Sequence, residues 1–141
     1  MATADELLGL LPWRYTEPPP EHRRLADHLE AYLAADEKAE RAAVAFVEHW
    51  DALAVLTARR VVVASNRLFR VPVEAFELHE ITDVDDEAAS RIDIVLKAPG
   101  RRFHFRLIRD PEGEAFRDAL TTRLRPKDSM TFTPFDARPR R

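Results

Sequence analysis

The sequence predicts a mainly β domain: a small, partly open β-barrel plugged at one end by a C-terminal helix. Two observations carry this. Seven short runs with a strand's two-residue period, followed by one capped helix at 111–124, fill the stretch from about Ala39 to Leu124. Upstream, an apolar stripe with helical spacing lies beyond a run of three prolines, so a helical extension precedes the barrel.

The first nineteen residues open with a leucine-rich turn or short helix (Leu7, Leu8, Leu10, Leu11) and pass through Trp13 and Tyr15 into Pro18-Pro19-Pro20. Proline cannot continue a helix but suits its first position, so a helix is expected over about 20–35. Leu25, Leu29, Tyr32 and Leu33 form its apolar stripe. Residues 36–50 fit a helix or a strand. Ala39, Ala43, Phe46, Val47 and Trp50 share a helical face, while Ala42, Val44 and Phe46 alternate with Ala43, Ala45 and Val47. A strand over about 39–48 is preferred because the barrel downstream needs a first strand.

Ala52–Thr57 and Arg60–Ser65 read as a hairpin, followed by a turn at Asn66. A brief strand is expected at Leu68–Val71, stopped by Pro72, and a fifth over about 76–84, broken by Asp85-Asp86-Glu87. Pro99 cannot take a positive φ, so Ala98–Arg101 reads as a four-residue turn with Pro-Gly at its centre. That turn pairs Lys97 with Arg102, Leu96 with Phe103, Ile94 with Phe105 and Ile92 with Leu107, placing the last three pairs on one apolar face. Asp93 then meets Arg106 on the other face. The closing helix has Asp110 as N-cap and Pro111 at its first position, with Glu112 and Glu114 in the first turn. Phe116, Ala119, Leu120 and Leu124 line its face, and Pro126 stops it. The organisation expected is thus 1–36 as N-terminal extension, 37–125 as the domain and 126–141 as a flexible basic tail.

Composition excludes several function classes. The net charge is −3 with 33% charged residues, so no global field draws the chain to nucleic acid. No cysteine is present, which removes disulfides, thiolate metal sites and thiol nucleophiles. Leu7–Leu11 is short, follows Asp5 and Glu6 and lacks a basic flank, so no signal peptide is expected, and the location read is cytoplasmic. Asp83-x-Asp85-Asp86-Glu87 fails as an EF-hand loop, with Ala88 and Ile94 where Gly and Glu are needed. His22, His28, His49, His79 and His104 show no ligand spacing. With three isolated glycines and no serine elbow, no catalytic residue, metal or cofactor is expected, and the chain does not read as an enzyme.

Residues 37–125, a little under two-thirds of the chain, resemble the bacterial pleckstrin-homology-like domains, relatives of the PH and GRAM superfold. Leu53-Ala54-Val55-Leu56-Thr57-Ala58-Arg59-Arg60-Val61-Val62-Val63-Ala64 is similar to their second and third strands, joined at a Leu-Thr-x-x-Arg turn. Val71-Pro72-Val73 with Ile81-Thr82-Asp83-Val84, and Phe116-Arg117-Asp118-Ala119-Leu120, look like further segments of the pattern. The resemblance implies a seven-stranded barrel of two near-orthogonal antiparallel sheets capped by the helix. Phosphoinositide-binding relatives place Lys and Arg around the loop between strands one and two. Here Glu48-His49-Trp50-Asp51 has neither, which argues against a headgroup there.

Strands one to three are apolar on both faces, so something must cover the second face. The helix at 20–35 is the favoured cover, and a second subunit or partner protein the other. The function expected is a non-catalytic protein-interaction or self-association module. Leu7, Leu8, Leu11, Trp13 and Tyr15 are its candidate partner-binding residues. The alternative is a peripheral anionic-lipid or anion-binding module using Arg67, Arg101 and Arg102.

Overall fold

The computed structural model describes residues 2–11, 18–88 and 91–124. Helix α1 (Ala4–Gly9) starts in a capping box: the Glu6 amide donates to Thr3 Oγ1, and the Thr3 amide to the Glu6 carboxylate, at 3.1 Å each. Helix α2 (Pro20–Tyr32) begins with proline at its first position. It ends three residues earlier than expected, because Leu33 turns to an extended ψ of 147°.

The ambiguous stretch is strand β1 (Ala39–Val47), paired antiparallel with β2 (Trp50–Thr57). Cross-strand pairing and burial override the helical composition here. A two-residue turn joins them, with Glu48 in the left-handed region at φ 58°. β3 (Arg60–Ser65) continues the meander.

The expected strand at Leu68–Val71 is instead part of a loop, and β4 begins after Pro72, at Val73–Glu77, with Val73 opposite Ala64. Proline has no amide to give a ladder, so pairing resumes only beyond it. The expected strand over 76–84 is also revised. A 3-10 turn at Leu78–Glu80 interrupts it, and β5 spans Asp83–Ala88, including the acidic run expected to break it. Backbone pairing of β5 with β6 (Arg91–Ala98) decides the outcome, and an edge strand tolerates charge.

β6 and β7 (Arg101–Ile108) pair in the register expected, from Lys97 with Arg102 to Ile92 with Leu107, with Asp93 opposite Arg106. Gly100 takes φ 72°, the conformation a Pro-Gly turn requires. Helix α3 (Pro111–Leu124) is capped by Asp110, whose Oδ1 accepts the Gly113 amide at 2.7 Å.

The strands form one curled antiparallel sheet in the order β4-β3-β2-β1-β7-β6-β5. The expected division into two sheets is therefore not a break in hydrogen bonding. β1 and β7 pair at only two positions, Ala45 with Leu107 and Phe46 with Arg106, and the sheet narrows there.

Two apolar cores lie on opposite faces of β1–β3. The concave core joins Ala43, Ala45, Ala54, Leu56, Val61 and Val63 to Ile92, Ile94, Phe105 and the α3 residues Phe116 and Leu120. The outer core joins Ala42, Leu53, Val55, Val62 and Ala64 to the leucines of α1 and α2. The second apolar face is thus covered from within the chain. No helix among the described residues is long and apolar enough to cross a membrane.

Candidate functional site

Since β1–β4 form an antiparallel meander, the β1–β2 turn (48–49) and the β3–β4 loop (66–72) leave the sheet at the same end. The loop is closed by two backbone hydrogen bonds and tied to β2 by a third. The Ser65 amide donates to Pro72 O at 3.1 Å, the Arg67 amide to Arg70 O at 3.0 Å, and the Asn66 amide to Asp51 O at 2.7 Å.

Leu68 and Phe69 sit at its tip, 73% and 90% exposed. No other large apolar side chain among the described residues exceeds half that of Phe69, the next being Tyr32 at 42%. Two large hydrophobes held adjacent in water on a hydrogen-bonded turn are costly unless they are used. Arg67 and Arg70 bracket them. The Arg67 guanidinium lies 5.5 Å from the centre of the Trp50 ring, and the His49 ring lies 4.5 Å from Trp50, tilted by 34°. Arg70 is exposed.

Helix α2 braces the loop from the outer side. Arg24 Nη1 donates to Asn66 Oδ1 at 2.8 Å and to Arg67 O at 3.3 Å. Nearby, His22 is buried, and burial holds its pKa below the ordinary value against the opposing charges of Asp51 and Glu21.

The expected site residues fare differently. Arg101 lies at the β6–β7 turn but is engaged: it donates to Ala75 O at 3.0 Å, contacts Glu74 at 3.3 Å and covers the Phe76 ring at 3.9 Å. It therefore holds the middle of β4, past the end of the loop. Arg102 is exposed on the same hairpin, opposite Lys97. Arg67 belongs to the tip, and its contacts do not overlap with those of Arg101. Leu7, Leu8 and Leu11, expected at a partner surface, are buried in the outer core because α1 packs against α2. Trp13, Tyr15 and the tail 126–141 lie outside the described residues.

Leu68 and Phe69 escaped the sequence reading because two apolar residues before a proline pass for a strand. The available signal was the spacing: Asn66 and Pro72 bracket the segment, and arginines flank both sides of the apolar pair.

No family model and no curated protein matches the sequence. Among solved structures, the fold is similar to a pleckstrin homology domain from Shewanella amazonensis SB2B, with a TM-score of 0.52 and 15% identity over 72% of this chain and 96% of that one. A second similar structure is the hSac2 domain from human phosphoinositide phosphatase Sac2, with a TM-score of 0.49 and 15% identity over 84% of this chain and 91% of that one. At such identity the first likeness speaks for the fold alone, which is pleckstrin-homology-like.

Proposed function

We propose that this pleckstrin-homology-like chain is a non-catalytic docking module that seats its β3–β4 loop on an anionic membrane surface. The observation that carries the reading is the exposure of Leu68 and Phe69 at 73% and 90% on one turn flanked by arginines. Apolar side chains gain by leaving water for the acyl boundary, while guanidinium groups beside them stay at headgroup level. A convex two-residue tip suits a soft planar surface. The acidic Glu48 on the β1–β2 turn and Asp51 at the start of β2 argue against a headgroup held there, which leaves the attraction to the arginines of the tip.

The protein-interaction reading draws on the second apolar sheet face and on the leucine- and tryptophan-bearing N-terminus. α1 and α2 occupy that face, Leu7, Leu8 and Leu11 are buried there, and Trp13 and Tyr15 lie outside the described residues. In the membrane reading, residues 1–36 are a bracing extension, 37–125 the docking domain, and the setting is the cytoplasmic leaflet. The finer architecture, two half-sheets crossing near a right angle, belongs to the same reading and is supported by the two-position joint between β1 and β7.

Sedimentation with vesicles of phosphatidylcholine, with and without phosphatidylserine, tests it. Wild-type protein is expected to bind the anionic vesicles and to release as salt rises. Each buried side chain contributes about 2 kcal/mol, so Leu68→Ser with Phe69→Ser should weaken binding roughly 1000-fold. Arg70→Gln should weaken it about fivefold. Wild-type protein that ignores anionic vesicles, or a double variant that binds them unchanged, overturns the reading. Loss of a protein partner with the double variant, and no lipid effect, would favour docking into a protein groove.

A further inference from the structure

We propose that Arg24 is a positioning residue for the docking loop, which makes α2 a working part of the surface and not only a cover for the sheet. The inference rests on the membrane-docking reading. Leu25, Ala26 and Leu29 seat α2 in the outer core, and this fixes the helix from which Arg24 reaches the loop. Its Nη1 carries two protons and spends them on two acceptors, Asn66 Oδ1 at 2.8 Å and Arg67 O at 3.3 Å. Those acceptors belong to the two residues through which the chain leaves β3 for the tip.

Asn66 is thereby gripped from two directions. Its amide donates to Asp51 O on β2, and its side chain accepts from α2. Beyond it, the Arg67 amide closes the tip onto Arg70 O, and the Arg67 side chain rests on Trp50. The loop base is pinned between the sheet and the helix, so the tip cannot tilt without breaking a charge-assisted bond. A tip held in its bound geometry pays less ordering entropy on docking, and that is what the Arg24 bonds supply.

Charge and positioning make different forecasts. Arg24→Gln removes a cation near the surface as well as the bonds, whereas Asn66→Ala removes the side-chain acceptor and changes no charge. If Arg24 positions the loop, Asn66→Ala should lower affinity for phosphatidylserine-containing vesicles by about fivefold, Arg24→Gln by at least as much, and the double variant should lose little more than Arg24→Gln alone. Amide exchange at residues 67–70 should quicken in both, while the melting temperature stays close to wild type. The inference is overturned if wild-type protein binds and Asn66→Ala binds equally well with unchanged loop exchange, or if the two losses simply add. In those outcomes the docking reading survives, because the Leu68 and Phe69 variant still reports on it. Wild-type protein that fails to bind removes both.

Discussion

Replacing Glu37 with alanine should destabilise the fold by about 3–5 kcal/mol, the usual cost of breaking a buried ion pair from one side. Glu37 is 5% exposed in the link between α2 and β1. Its carboxylate accepts from Arg60 Nε at 2.9 Å and Nη2 at 2.8 Å, from Thr57 Oγ1 at 2.8 Å and from the Ala34 amide at 3.1 Å. The Arg60 side chain is itself only 15% exposed and lies 4.9 Å from the centre of the Tyr32 ring. Alanine would strand this guanidinium and leave the Thr57 hydroxyl only its longer bond to Arg60 O at 3.3 Å as a donor. Glutamine keeps the shape but not the charge, and should cost less.

The same cluster sets a pH dependence. Burial pushes the Glu37 carboxyl up, but hydrogen bonds from Arg60, Thr57 and the Ala34 amide, together with the Arg60 charge, outweigh it and hold the pKa at about 2, against an ordinary 4.5. A depressed folded pKa means the stabilisation is complete above the unfolded value and disappears as pH falls through 4.5 toward about 2. The span corresponds to about 3 kcal/mol. Urea melts should show the gap between wild type and Glu37→Gln shrinking over that window. A gap that stays constant would mean the carboxylate is not held as described.

Gly113→Ala is expected to cost about 3 kcal/mol, at the upper end of what overpacking usually costs. A Cβ at this position would stand 1.9 Å from Ile108 O and 3.1 Å from Ile108 C, both backbone atoms at the end of β7. Neither can yield without moving the strand, so α3 must retreat instead. Retreat would pull Phe116 and Leu120 out of the concave core, where Phe116 meets the Phe105 ring edge-on at 6.4 Å. It would also stretch the bond from the Gly113 amide to the Asp110 cap. Gly9→Ala is the matched control. Nothing lies within 4 Å of a Cβ there, and alanine favours helix, so a gain of about 0.5–1 kcal/mol is expected. Thermal melts of the two variants should move in opposite directions.

Elements with two agreeing signals were legible in the sequence. The β6–β7 register followed from Pro99-Gly100 together with Phe103 and Phe105, and the α3 start from Asp110 and Pro111. β4 and β5 were not legible, because their bounds depend on partners distant in sequence. Val73 pairs with Ala64, and the acidic Asp85–Glu87 run is carried by Val95, Ile94 and Asp93. The candidate site was hardest to read. Periodicity assigns an apolar pair to a core, and only coordinates show Leu68 and Phe69 facing water. The converse held for Leu7, Leu8 and Leu11, whose clustering near the N-terminus resembles a docking segment until α2 is seen to pack on it.

The boundary at 36/37 marks where the resemblance starts; it is not a seam along which the chain can be cut. β2 and β3 have no wet face beyond their first residues, because the same backbone carries both cores. Cutting away the first two helices would bare Leu53, Val55 and Val62 at once, so the trimmed piece should clump during expression. Melting should accordingly be all-or-none across helices and sheet, with β2 amides exchanging only when the whole molecule opens.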